Sequence, residues 1–358
     1  MFIHLRLHTE FSVVDGTNRI DDTVAQAAAD GQPALAITDL NNLFGAVKFY
    51  KAARDKGVKP VIGAEVLLQG FSDETPNAMP GAHQQPLPRV LLLVQDKQGY
   101  LNLCELLARA WTRNVVRDQA VVKREWLEEL NAGLILLSGA QAGPVGQALM
   151  AGDTQRASDV ALALASLFTH RFYIELQRAG RADDERHVVA AVQLAARLHL
   201  PVVATHPVQF LGPDDYEAHE ARVCISEGEI LGNTRRVRRF TREQWFKPAA
   251  DMAALFADVP SAVANTLEIA RRCNLTLVLG KPQLPDFPTP LVNGVPMPMA
   301  DFFRQSSFEG LEERLQHLYP DPAERDRQRP RYVERLEFEI GTILKMGFPG
   351  YFLIVGDF

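Results

Sequence analysis

Phe2-Ile3-His4-Leu5-Arg6-Leu7-His8 and Ala34-Leu35-Ala36-Ile37-Thr38-Asp39 are two short apolar runs separated by an amphipathic stretch, and this alternation decides the fold. It continues outward. Runs rich in Val, Ile, Leu or Phe occupy residues 2–7, 34–38, 60–68, 90–94, 134–138, 172–175 and 201–205. Each is too short for a buried helix and reads as a strand. Between them, residues 20–30, 43–56, 100–112, 157–168 and 184–198 read as helices. Asp21 and Gly31 bracket the first of these, and Asn42 and Gly57 the second, as start and stop signals do. Such repeated alternation predicts an α/β protein with a parallel sheet, either open or closed into a barrel. In both, a site is built from polar residues at the C-terminal ends of the strands.

A chain of 358 residues has room for roughly two domains. With 47% hydrophobic and 23% charged residues, long disorder and fibrous repeats are excluded. Cys104, Cys224 and Cys273 lie far apart with no Cys-x-x-Cys pair, which points to reduced thiols and a cytoplasmic protein. No apolar run has the length of a membrane span, and the N-terminus lacks a secretory pattern. The formal charge of −6 argues against nucleic-acid binding over the whole surface, so any such contact is local or lies outside this chain. The one dense basic run, residues 234–242, reads as a solvated loop or as a local phosphate contact.

Residues 70–88, rich in Pro, Gly, Gln and Asn, read as an exposed insertion. Six prolines between positions 275 and 298 forbid a helix or inner strand there and suggest a linker or domain crossing. Beyond it, residues 299–318 and 331–346 read as helices separated by a charged turn at 320–330. The apolar, strand-like run at 347–358 has no evident partner, which suggests a piece of a longer protein.

His4, Arg6 and His8 alternate along the first run and so are expected on one face. Asp15 follows in a turn, Asp39 stands at the tip of the second run, and Glu65 interrupts a third. A carboxylate inside an apolar run needs a partner or a metal. His8, Asp15, Asp39 and Glu65 could therefore bind a divalent ion. Alternatively, Asp15 and Asp39 merely cap turns and His8 is a satisfied core histidine.

Several motifs carry a resemblance. Residues 4–16, Ala-Ile-Thr-Asp at 36–39, Gly-Val-Lys-Pro-Val-Ile-Gly-Ala-Glu at 57–65, Leu-Leu-Ser-Gly at 136–139 and Leu-Pro-Val-Val-Ala-Thr at 200–205 resemble the polymerase-and-histidinol-phosphatase (PHP) domain. Ala-Arg-Arg-Cys-Asn at 270–274, Leu-Pro-Asp-Phe-Pro at 284–288, Gly-Leu-Glu-Glu-Arg-Leu at 310–315 and Met-Gly-Phe-Pro-Gly-Tyr-Phe-Leu-Ile-Val at 346–355 resemble the start of the palm in bacterial C-family replicative polymerases, the DNA polymerase III alpha subunits. The resemblance implies a distorted seven-stranded β/α barrel over residues 1–272, a proline-rich crossing at 273–298 and the start of an α+β palm at 299–358.

Active members of the family hold up to three metal ions on nine side chains. Of these positions, His8, Asp15 and Glu65 keep a ligand. The others fall on Arg6, Leu40, Arg89, Ala140, Pro207 and Gln209, with His206 as an accidental neighbour of a lost ligand. The resemblance thus implies a vestigial pocket without bound metal, with Arg6 pairing to Asp15 or Glu65. It implies a parent DNA-directed DNA polymerase whose Mg²⁺-binding aspartates lie outside this chain. Its implied partners are a proofreading exonuclease subunit at the PHP domain, with sliding clamp, clamp loader, primer-template DNA and dNTPs engaged by other parts of the parent. A working PHP phosphoesterase or 3′–5′ exonuclease, and an error-prone paralogue of the polymerase, are the alternatives.

Overall fold

The computed structural model describes residues 1–71, 86–281 and 285–357. Eight strands make the main sheet: β1 (Ala34–Ile37), β2 (Lys59–Gln69), β3 (Arg89–Val94), β4 (Val115–Val116), β5 (Gln119–Lys123), β6 (Leu134–Leu137), β7 (Phe172–Gln177) and β8 (Val202–Thr205). Long β2 is the hub. Its first half pairs with β1 in parallel, its second half with β3 antiparallel, and its last residues with β5 in parallel. From β3 the order runs through β6 and β7 to β8.

The expected first strand is the exception. Residues 2–8 do not form a regular strand, yet they close the barrel. On one side the Ala36 and Thr38 amides donate to the carbonyls of His4 and Leu7, both at 3.0 Å. On the other, the His8 amide donates to the Val208 carbonyl at 3.0 Å, beside a Leu7–Val208 bridge. The opening segment with β1, β2, β3, β6, β7 and β8 thus makes the distorted seven-stranded barrel.

A second difference is direction. β3 runs antiparallel to both neighbours, not parallel. The sequence between β2 and β3 has no helical pattern, and without a crossover helix adjacent strands pair antiparallel. The expected insertion at 70–88 falls mostly at 72–85, outside the described residues.

Helices cover the barrel: α1 (Ile20–Ala29), α2 (Ala46–Asp55), α3 (Lys97–Arg113), α4 (Arg124–Leu130), α5 (Pro144–Met150), α6 (Thr154–Leu167), α7 (Asp184–Leu198), α8 (Tyr216–Glu227), α9 (Ala249–Leu255) and α10 (Pro260–Arg272). At α3 the cap is explicit: the Asp96 carboxylate accepts from the Gly99 amide at 2.9 Å. Inside the barrel, residues two apart on each strand form layers. Val61, Leu91, Leu93, Ile135, Leu137, Tyr173 and Val203 make an apolar floor, closed by Ile269 and Ala270 of α10. On the same strand faces, Glu65, Arg89, Glu175, Gln177 and Thr205 form a polar layer at one end. Because β3 is antiparallel, its first residue, Arg89, stands at the end where its neighbours finish.

The chain divides into two compact units, Met1–Thr276 and Leu277–Phe358. The second contains a short hairpin of β9 (Leu291–Val292) and β10 (Val295–Pro296), then α11 (Met299–Leu318), α12 (Pro322–Met346) and α13 (Pro349–Asp357). Phe303, Ile340 and Leu353 form its core. Two expectations fail here. The charged turn at 320–330 is largely the start of α12, where Asp321 caps the helix and Pro322 occupies its first turn. The strand-like run at 347–358 is mostly helix α13, since an unbroken apolar run carries no period to separate helix from strand.

Candidate functional site

Arg6 is the centre of the polar layer. Its Nε and Nη2 donate to the two oxygens of Glu175 at 2.9 and 3.2 Å, while Nη1 lies 2.7 Å from Glu65 Oε1. All three side chains are buried. Glu175 also accepts from Thr205 Oγ1, from Gln177 Nε2 at 2.9 Å and from the Gly139 amide at 2.9 Å. Gly139 has a positive φ of 83°, and a side chain there would overlap the Arg89 carbonyl, so the Ser-Gly turn brings its amide to the carboxylate. Burial alone would lower the Arg6 pKa, but Glu175 and Glu65 outweigh it and raise it above the ordinary value.

His8 sits on the other side of Glu65. Its Nδ1 donates to Asp15 Oδ1 at 2.9 Å. Its Nε2 lies 2.8 Å from Glu65 Oε2 outside hydrogen-bond geometry, so that contact is ionic. Burial lowers the His8 pKa, yet Asp15 and Glu65 raise it to about 10. Burial likewise raises Glu65, but Arg6 and His8 hold it well below the usual carboxylate range. Arg89 Nη1 stands off at 3.8 Å from Glu65 and 4.0 Å from Asp15.

These groups border a cavity of about 620 Å³. Arg6, Asp15, Leu40, Glu65, Arg89, Pro207 and Gln209 line it. Ala140 is buried beside it, between lining residues Gly139 and Gln141. Three expected candidates stand elsewhere. Asp39 accepts from the Thr9 amide at 2.6 Å and from the Thr9 and Ser12 hydroxyls, so it ties the turn before Asp15. His206 donates from Nε2 to the Glu243 carbonyl at 2.9 Å. His4 does not share the face of Arg6 and His8. Its ring packs on Phe246 with centroids 4.5 Å apart, and Nε2 donates to the Lys247 carbonyl at 2.8 Å. The irregular opening segment breaks the strict alternation that the sequence suggests.

Within the basic run, Arg236 is buried against Glu220 of α8, so at that position the solvated-loop reading fails. Arg239 and Arg242 pair with Glu227 and Glu217.

The pocket does not fit the metal cluster that its fold implies. An Arg6 nitrogen occupies Glu65 Oε1, and both nitrogens of His8 face carboxylates. Among the described residues, no group of three His, Cys, Asp or Glu side chains could hold a metal ion. Glu175 was not singled out from the sequence. Its signal is a carboxylate in an apolar strand, the same as at Glu65.

Residues 4–179 match the family described as PHP domain, and residues 301–358 match the bacterial DNA polymerase III alpha NTPase domain. The DNA polymerase III subunit alpha of Pseudomonas aeruginosa is 46% identical over 358 residues, all of this chain and 29% of that protein. This chain belongs to the bacterial DNA polymerase III alpha family. The Neisseria meningitidis serogroup B subunit is 49% identical and the Escherichia coli K12 subunit 43% identical, each again along the whole chain. The chain spans 29–30% of the length of these relatives. Among solved structures, an amidohydrolase from Chromobacterium violaceum with bound sulfate and no metal superposes with a TM-score of 0.40 at 15% identity, over 62% of this chain and 97% of its own; so loose a match says nothing about the site. No single helix among the described residues is long and apolar enough to cross a membrane.

Proposed function

We propose that this chain is the N-terminal part of a replicative DNA polymerase alpha subunit, and that its PHP barrel is a catalytically inactive platform. The observation that carries this reading is the Arg6 clamp. A permanent cation joins Glu65 to Glu175 where a metal-bearing pocket needs free ligands. The ion pairs satisfy the buried acids, so the pocket holds charge for stability and activates no water.

In the parent, primer extension uses two Mg²⁺ ions on palm aspartates that this chain does not include. The PHP platform docks the proofreading exonuclease subunit, while sliding clamp, clamp loader, primer-template DNA and dNTPs bind other parts of the parent. The relatives' shared name and their identity along the whole chain support this assignment.

The test has two arms. Metal analysis of the purified chain, with hydrolysis of a generic phosphodiester in added zinc or manganese, is expected to find neither bound metal nor turnover. Stoichiometric metal with hydrolysis overturns the inactive reading. Size-exclusion of the chain with the exonuclease subunit of the same organism is expected to show a complex, and separate elution overturns the docking role.

A further inference from the structure

Two arginines with unspent donors line the cavity, Arg89 and Arg181. Arg89 is partly exposed there, and its ion pairs at 3.8 and 4.0 Å are too long for hydrogen bonds. None of its N–H donors has a hydrogen-bond acceptor among the described residues. Arg181 lines the same cavity and, among the described residues, makes one side-chain hydrogen bond, from Nη1 to Gln177 Oε1 at 3.1 Å. Burial lowers the Arg181 pKa; Asp184 and Glu65 raise it, and the like charges of Arg6 and Arg89 lower it.

Gln209, 5% exposed and also on the wall, has a buried Oε1 with no partner among the described residues. The other end of the amide, Nε2, keeps solvent access and has no acceptor among the described residues, so it is the donor free to serve the cavity. The nearby carboxylates are already engaged: Glu65 by Arg6 and His8, Asp15 by His8, and Glu227 by Arg239.

We propose that this cavity is a metal-free oxyanion site, in which Arg89, Arg181 and Gln209 bind a phosphate group. A tetrahedral oxyanion offers acceptors to both guanidinium forks and relieves their mutual repulsion. The cavity of about 620 Å³ has room for a free phosphate or for the phosphate of a mononucleotide. The inference deepens the proposed function and rests on its reading of a pocket without metal.

The experiment is titration calorimetry of the whole chain in EDTA, repeated with added zinc or manganese in place of EDTA, with inorganic phosphate and deoxyadenosine monophosphate as probes. Saturable binding of either is expected, weakened about tenfold in Arg89→Gln and in Arg181→Gln. Tighter binding of the nucleotide assigns the site to a nucleotide phosphate, and equal binding assigns it to the free oxyanion. Arg89→Gln, at a partly exposed position, keeps the test decisive if Arg181→Gln does not fold. Undiminished binding by Arg89→Gln overturns the site. No binding with or without metal overturns this inference and leaves the metal-free reading standing. Binding that appears only with zinc or manganese overturns both.

Discussion

Arg6 and His4 lie two residues apart on the opening segment, both buried, and the structure treats their charges in opposite ways. Burial lowers His4 to about 4, and among the described residues its one polar contact is a backbone carbonyl. Its neighbour His206 is lowered to about 3, by burial and then by the charge of His4. Arg6 and His8 stay charged, because β2 and β7 deliver Glu65 and Glu175, and the first turn delivers Asp15. A buried group keeps its charge where the fold supplies counter-charges, and otherwise turns neutral.

The largest test of that contrast is Arg6→Ala. It leaves Glu65 and Glu175 buried without their common cation, and breaking such a pair costs about 3–5 kcal/mol. Chemical denaturation of the barrel is expected to show that loss, and an unchanged midpoint removes Arg6 from the centre of the site. Arg6→His comes next. It exchanges a repelling cation for a ligand beside His8 and Glu65, so zinc binding measured by competition with a chelating dye is expected to rise while metal-free stability falls. Equal zinc uptake by the unmodified chain would falsify the view that Arg6 closes the site.

The pH dependence separates the two clusters more finely. His8, raised from 6.5 to about 10, gives stability that is fully present below pH 6.5 and lost as the pH climbs toward 10. His4 and His206, lowered from 6.5, act in the opposite direction. Their neutral forms favour the fold above pH 6.5, and that advantage falls away toward pH 4 and 3. Glu65, lowered below 4.5, adds to the acid loss. Melting temperature is therefore expected to peak near pH 6.5, and His8→Asn to flatten the alkaline limb. An alkaline limb unchanged in that variant contradicts the charged state of His8. The smallest effect is expected for His4→Phe, which gives up one neutral hydrogen bond for about 1 kcal/mol and makes the acid limb shallower. A loss as large as that of Arg6→Ala erases the contrast.

Much of this was legible in the residues. Six of the seven short apolar runs became strands, and His8, Asp15, Glu65, Arg6 and Arg89 do meet at one end of the barrel. Asp39 and His206 could not be placed from spacing, since both reach partners on other loops. Glu175 carried the same signal as Glu65 but lies 169 residues from Arg6 along the chain, and nothing local connects them.

By itself, the sequence determined which segments bury themselves as strands and helices, because apolar period and end signals are local properties. It also determined that the side chains of Arg6, Leu40, Arg89, Ala140 and Pro207 offer no metal ligand, because an arginine, leucine, alanine or proline cannot coordinate wherever it lies. Tertiary structure alone decided the antiparallel direction of β3, which sets Arg89 at the pocket. It likewise decided the irregular path of residues 2–8, which parts His4 from Arg6, and the choice of Glu175 as second anchor of the clamp. Strand direction, register and counter-charge are settled between segments far apart in sequence, where packing and electrostatics act through space.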